Sequence, residues 1–355
     1  MAHAWPDNRF TALVGCAHPI VQAPMAGAVG PAMAQAVIAA GGLGSLPCGM
    51  ITPEKALADA ATVGGGPLNM NFFCHSLPED SDPTAWRAML AAYDADYAPD
   101  YSAPPPPVRA PFGEAMCAVV EQVRPAAVSF HFGLPDERLV GRVRASGAKV
   151  IGNATSVAEA VWLAERGCDA IIAQGLEAGG HAGWFLPAHP AARLGIFALI
   201  PQVADAVQVP VIAAGGIGDA RGIAAAMMLG ASAVQMGTAY LHSPESLISA
   251  AHRKALASEA ARRTVATNLF TGGNARAIPN RLIDDLGPVN GAVPAYPDGA
   301  AVIAPLRRAA EAKGDPAFTP LWSGQSAPLC RSMPAAELTR TLAGEALALL
   351  NGDAR

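Results

Sequence analysis

The chain has 355 residues, 52% of them apolar, and a formal net charge of −5. That leaves ample material for a large core. It provides no run of Lys or Arg to follow nucleic acid or an anionic membrane surface, so the expected partner is a small molecule.

Targeting and redox signals are equally plain. The start, Met1 to Asp7, lacks the basic and apolar blocks of a secretion signal. The most apolar stretch, residues 21–47, is cut by Gly27, Gly30, Pro31, Gly41, Gly42 and Gly44, which a membrane helix would not be. Cys16, Cys48, Cys74, Cys117, Cys168 and Cys330 are scattered, with no C-x-x-C pair and no zinc-type spacing to a histidine. They read as reduced thiols of a cytoplasmic protein. The composition permits a homodimer without requiring one.

Along the chain, short apolar runs alternate with Ala-rich helical stretches. Eight such runs are predicted as strands: 20–25, 43–46, 68–73, 127–132, 149–153, 170–173, 210–214 and 233–236. Continuous apolar runs of this length suit strands buried on both faces. Helices are predicted over 31–40, 53–62, 157–166 and 220–229. Pro31 and Pro53 stand in their first turns, and Gly167 and Gly230 just past their ends. Eight units over roughly 240 residues match the ~250 expected of a (β/α)8 TIM barrel. An open doubly wound sheet shares the local pattern but carries its phosphate loop early, whereas here the phosphate-like loops come late.

Two stretches depart from the alternation. Residues 76–111, with Pro104-Pro105-Pro106-Pro107, form an excursion after strand three and are read as a surface arm or lid. Residues 242–299 are read as a smaller, mostly helical domain on the substrate side of the barrel domain 1–241. Residues 300–355 are expected to pack back on the barrel, with a helix over 337–350.

Active sites of such barrels form at the C-terminal strand ends. After strand seven stands Ala214-Gly215-Gly216-Ile217-Gly218-Asp219, followed by a helix. After strand eight stands Gln235-Met236-Gly237-Thr238. Glycines let backbone N–H groups turn toward an anion, a helix start adds its positive dipole end, and a hydroxyl can donate as well. Gly-Gly pairs also make ordinary turns, but two such loops on these two strands are the usual phosphate site of the fold.

After strand six comes Gln174-Gly175-Leu176-Glu177-Ala178-Gly179-Gly180-His181. The glycines bring backbone close to a flat ligand and His181 projects over it, suited to proton transfer near neutral pH. Strand one ends Gln22-Ala23-Pro24-Met25, where backbone can face a ring edge. Asn71 on strand three could bond a ring atom or cap a turn. His131, amid aromatics on strand four, fits an interior hydrogen-bonded side chain or a substrate contact. His18, His75, His189, His242 and His252 lack companions, so no metal site is expected.

The set Gln22-Ala23-Pro24-Met25, Glu177 to His181, Ala214 to Ile217 and Gln235 to Thr238 resembles the nitronate monooxygenase family of FMN-dependent barrels. The resemblance runs from about Ile20 to Gln325. It takes in Thr271-Gly272-Gly273-Asn274-Ala275-Arg276 and Leu321-Trp322-Ser323-Gly324-Gln325. It implies noncovalent FMN, touched by Ala23, Pro24, Met25, Asn71, Gln174, Gly179, Gly180, Gly215, Gly216, Gly218 and Gln235 to Thr238. It also implies His181 as catalytic base, and oxidation of alkyl nitronates by molecular oxygen.

Position 182 is Ala, where the family often has a basic residue, and Gly183-Trp184-Phe185 follows. Tyr296 is placed on the substrate side. The alternatives are an FMN-dependent NAD(P)H reductase of the enoyl-acyl-carrier-protein or quinone type, and a non-redox phosphate-binding barrel. A separate G-x-G-x-x-G is absent, but reductases on this scaffold need none.

Overall fold

The computed structural model describes residues 4–103, 110–187 and 192–353. The proline run at 104–107 and His189 lie outside the described residues.

Eight parallel strands follow in chain order: Ile20–Gln22, Gly44–Pro47, Leu68–Phe73, Ala127–His131, Lys149–Ala154, Ala170–Gln174, Val211–Ala214 and Ala233–Met236. Each pairs with its neighbour in order, and strand one pairs with strand eight through Ile20 opposite Val234. A single parallel bridge, Val21 to Leu43, completes the ring between strands one and two. There the Gln22 side chain replaces ladder bonds, its Oε1 accepting the Ser45 N–H at 2.8 Å. The fold is the expected (β/α)8 barrel. Strand one stops at Gln22, three residues before the expected end, because Pro24 has no N–H to continue a ladder.

The barrel interior follows the period-two alternation of strands. Val21, Leu43, Ala127, Ile151, Ala170, Ile172, Ile212 and Ala233 fill it. Phe10 and Val14 of the helix Arg9–Val14 belong to the same cluster, so that helix plugs one end. Toward the other end the inward positions turn polar. Asn69 Nδ2 donates to Ser45 Oγ and Ser129 Oγ at 3.1 and 3.0 Å, and Asn71 Nδ2 donates to Ser129 Oγ at 2.9 Å.

Helices Pro31–Ala39, Pro53–Val63, Val157–Glu165 and Ala220–Met228 cover the outside where the sequence placed them. Only the four-residue helix Thr238–Leu241 directly follows strand eight. The C-terminal helix Ala335–Leu350 supplies the missing cover, packing Leu338, Leu342 and Ala346 against helices Pro31–Ala39 and Ala220–Met228.

Residues 76–103 carry the helices Thr84–Leu90 and Asp94–Tyr97. Trp86, Leu90, Tyr93 and Tyr97 share a core with Leu282, Ile303, Leu306 and Phe318, so this stretch packs with the chain beyond the barrel. Residues 242–299 contain the helices Ala250–Leu256 and Arg281–Leu286. They also contain two short antiparallel strands, Val265–Thr267 and Ala275–Ala277. The second pairs with Gly180–His181, making a three-stranded sheet that reaches back to the loop after barrel strand six.

Candidate active site

The strand ends open into a cavity of about 830 Å³. Ala23, Pro24 and Met25 line it from strand one, with Asn71 and His131 from strands three and four. Gln174, Gly179, Gly180 and His181 come from the loop after strand six, and Gly215, Gly216, Gln235, Gly237 and Thr238 from the last two strands.

Three of the expected residues lie off its wall. Met236 points outward into the core with Ile20 and Met33, though its carbonyl accepts the Ala23 N–H at 2.9 Å. Gly218 faces the segment after Trp322, where an added Cβ would lie 2.8 Å from the Ser326 carbonyl oxygen. Tyr296 stands behind His181, ring centroids 5.1 Å apart.

The end of the cavity at strands seven and eight is built from turned backbone. Gly215 and Gly216 have φ of 107° and 68°, in the left-handed region that side chains avoid. A Cβ on Gly215 would come within 2.9 Å of the Ala178 nitrogen, so the cradle exists only without one. Among the described residues, the N–H groups of Gly215, Gly216 and Gly237 have no protein acceptor. Thr238 Oγ1 accepts the Gly324 N–H at 2.9 Å, which leaves its own proton to donate.

The following helix contributes less than its position suggests. Asp219 accepts from the N–H groups of Arg221 and Gly222 at 3.0 and 3.4 Å, so a carboxylate already caps the helix start. The cradle therefore rests on the glycine turn and not on the helix dipole. Gln235 adds a buried Oε1 that accepts no hydrogen bond among the described residues. A phosphate on the glycine turn and a donor-bearing ring at Gln235 would fit these groups, which is the chemistry of FMN.

The loop bearing His181 is clamped on both sides. Gln174 Nε2 donates to the His181 carbonyl at 2.9 Å, while its Oε1 accepts from Gly183 N–H at 2.9 Å and Asn153 Nδ2 at 3.2 Å. Gly183 admits no side chain, since a Cβ would meet His131 Cε1 at 2.5 Å. Beyond it, the buried Glu159 carboxylate takes the N–H groups of Phe185 and Thr155 at 2.7 and 2.6 Å. Arg276 Nε donates to the Leu176 carbonyl at 2.9 Å, and Glu177 accepts the Ile196 N–H at 3.0 Å.

His181 itself is set among aromatic rings. Trp322 lies 5.3 Å and Phe132 6.3 Å from it, and Nε2 meets Thr271 Oγ1 at 2.8 Å. Phe132 holds its place at a backbone cost: φ is +69°, an outlier for a bulky residue. His131 shows some surface to the cavity but is otherwise enclosed. Burial pushes its imidazole down to about 4, against a smaller upward pull from the His181 backbone. It is therefore neutral near pH 7, a hydrogen-bonding group and not a cation.

Asn153, Thr271 and Trp322 were not among the site residues expected from sequence. Asn153 lies at the end of strand five, in the same alternation that brings Gln174 inward. Thr271 and Trp322 lie within the two late segments that carried the resemblance, but nothing local to them indicates contact with a histidine so distant in the chain. His252 also faces the cavity, its Nε2 3.0 Å from the Trp322 carbonyl oxygen.

A barrel with a glycine cradle across its last two strands and a fixed histidine on the same cavity is a cofactor-binding enzyme scaffold. The nitronate monooxygenase family model matches residues 7–345, and the chain belongs to that family, one of flavin-dependent oxidoreductases. It is 44% identical over 348 residues to the nitronate monooxygenase of Pseudomonas aeruginosa, covering 95% of this chain and 99% of the relative. It is 42% identical to that of Paraburkholderia phytofirmans, covering 94% and 93%. The nitroalkane oxidase of Streptomyces ansochromogenes superposes with a TM-score of 0.87 at 37% identity, covering 97% of this chain and 99% of that one.

Proposed function

We propose that this enzyme oxidises alkyl nitronates with molecular oxygen, and nitroalkanes after removing their α-proton, with FMN held noncovalently in the cavity. The observation that carries the reading is that a glycine cradle and a clamped histidine share one cavity. When bound, FMN supplies the acceptor for the electrons the nitronate gives up, with oxygen as terminal oxidant.

The chain's own residues do the rest. The N–H groups of Gly215, Gly216 and Gly237 and the Thr238 hydroxyl would hold the phosphate. Asn71 spends its amide nitrogen on Ser129 and so can offer its carbonyl oxygen. Gln235 Oε1 would accept from the ring, and Ala23, Pro24 and Met25 close the cavity on the strand-one side. His181 takes the α-proton of a neutral nitroalkane, and in its protonated form holds the anionic nitronate. Neutral His131 offers a hydrogen bond without competing as a charge. Phe132, Tyr296 and Trp322 crowd the imidazole and keep bulk water from it.

No described helix is long and apolar enough to cross a membrane. Six free cysteines support the cytoplasm as the working compartment.

An anaerobic titration of the purified protein, followed by flavin absorbance, tests the reading. Bleaching by a nitronate alone, and turnover on admitting air, is the expected result. Bleaching by NADH or NADPH with no response to nitronate would move the chain to the reductases. Absence of bound flavin would leave only an anion-binding barrel. His181→Ala should keep the colour and lose turnover on nitroalkanes.

A further inference from the structure

We propose that Ser326 is a further cofactor-binding residue: its hydroxyl, brought in by the segment after Trp322, donates to the phosphate of FMN beside the glycine turn. The proposal rests on FMN being the cofactor and on that turn holding its phosphate.

Ser326 is 7% exposed and lines the cavity. Its Oγ makes no hydrogen bond among the described residues, yet it keeps accessible surface. A hydroxyl on so enclosed a side chain ordinarily has a partner, so this one points to a group the chain does not supply. Its backbone N–H donates to no described residue either. The segment is pinned at three successive residues, each to a different part of the site. Gly324 N–H donates to Thr238 Oγ1 at 2.9 Å, just past strand eight. Gln325 N–H donates to the Glu177 carbonyl at 3.0 Å, in the loop after strand six. Ser326 stands against Gly218 of the loop after strand seven, its own Cβ 3.0 Å from where one on Gly218 would lie. The fit is close: a Cβ on Gly179 would come within 2.5 Å of the Gly324 nitrogen. A chain already fixed in place therefore delivers the hydroxyl, and binding need not pay to order it.

The charges around the cavity make each neutral donor count. Among the described residues that line it, Arg307 is the single Lys or Arg, and its Nε lies 2.7 Å from the Glu311 carboxylate. No unpaired cation of that wall is left to hold a phosphate dianion, so N–H and O–H groups must do so. A hydrogen bond to an ionised acceptor is roughly twice as strong as one between neutral groups, so a single hydroxyl carries a measurable share of the affinity. Riboflavin has the ring and the hydroxyl chain of FMN without the phosphate. A phosphate contact is therefore felt by FMN alone, which gives the proposal a readout that a purely structural role would not move.

Full-length protein freed of flavin is titrated with FMN and with riboflavin, and the change in flavin fluorescence gives each Kd. Ser326→Ala should weaken FMN roughly ten- to hundredfold, the scale of one hydrogen bond to a charged group, and leave riboflavin within about threefold of wild type. Ser326→Asp, which sets a carboxylate beside the phosphate, should weaken FMN further and again spare riboflavin. Equal losses on both flavins, or no loss on either, would overturn the proposal. The hydroxyl has no partner among the described residues, so flavin-free Ser326→Ala should keep a Tm within about 1 °C of wild type. A larger fall, or failure to fold, would make the hydroxyl part of the scaffold and would overturn the proposal as well. The wild-type protein separates the two levels of the argument. If it binds FMN no more tightly than riboflavin, the phosphate cradle itself fails. If it prefers FMN and Ser326→Ala keeps that preference, only the role of Ser326 fails.

Discussion

Replacing Gln174 by Met would keep the volume of a buried side chain while deleting three hydrogen bonds. These run to the His181 carbonyl, the Gly183 N–H and Asn153 Nδ2, at 2.9, 2.9 and 3.2 Å. The loss strands two backbone groups beneath the loop that carries His181. Each unmet buried group costs about 1–3 kcal/mol, and relaxation recovers part, so a net destabilisation of ~2–4 kcal/mol is expected. For a chain of this size that is a fall of roughly 3–5 °C in Tm.

The kinetic effect should exceed the thermal one in kind. A loop released from its clamp lets the base drift, and a shift of about 1 Å can cost on the order of a hundredfold in rate. Thermal unfolding of holo- and apoprotein, flavin content and kcat/KM on nitroethane measure the three consequences separately. An apoprotein Tm within about 1 °C of wild type with unchanged turnover would refute the clamp. Loss of flavin with an unchanged apoprotein Tm would make Gln174 a cofactor contact alone.

Phe132→Gly should be more stable than Phe132→Ala by about 1 kcal/mol, because only glycine relieves the φ of +69° once the ring is gone; urea midpoints decide it. Both variants should shift the chain-length preference toward longer alkyl nitronates, read as a ratio of kcat/KM values. Gly215→Ala should purify with little or no flavin, since its Cβ meets Ala178 at φ +107°; the absorbance ratio of flavin to protein reports this. His131 should make the enzyme acid-labile. Its folded value of about 4 lies below the ordinary 6.5, so the unfolded chain binds the extra proton. The stability is fully present above pH 6.5 and is lost as the pH falls from there through about 4, by roughly 3 kcal/mol at most. Urea midpoints at pH 7 and 5 should differ less in His131→Asn than in wild type.

The barrel was legible in the sequence because the strands are short, mostly apolar runs and most are followed by a helix. The strand-end glycines were legible for a related reason: the chemistry of an anion cradle lies within a few consecutive residues at the end of each of two strands. Asn153 was missed through attention to strand ends as loops. The alternation that turns Ile151 into the barrel brings Asn153 inward as well. The Asp219 cap had a visible signal, an acidic residue immediately before a helix, and it removes the dipole argument that the same position invites. The small sheet was not legible at all. Its strands, Gly180–His181, Val265–Thr267 and Ala275–Ala277, are two or three residues long, too short to show any period.

That short sheet divides the site into halves with different origins. The cofactor side is made by barrel strands whose neighbours in space are also neighbours in the strand order. The side around the base is made by residues brought from afar: Thr271 meets His181 across 90 positions of sequence. His181 sits at the join. Its backbone pairs with Ala275 of the outer sheet, while its carbonyl is held by Gln174 of the barrel. Substitutions in residues 265–277 can therefore move the base without touching the cradle, and those at Gly215 or Gly237 can empty the cradle without moving the base. If His181 is the base and the glycine turns hold the phosphate, as proposed, cofactor binding and substrate choice are separable in this chain.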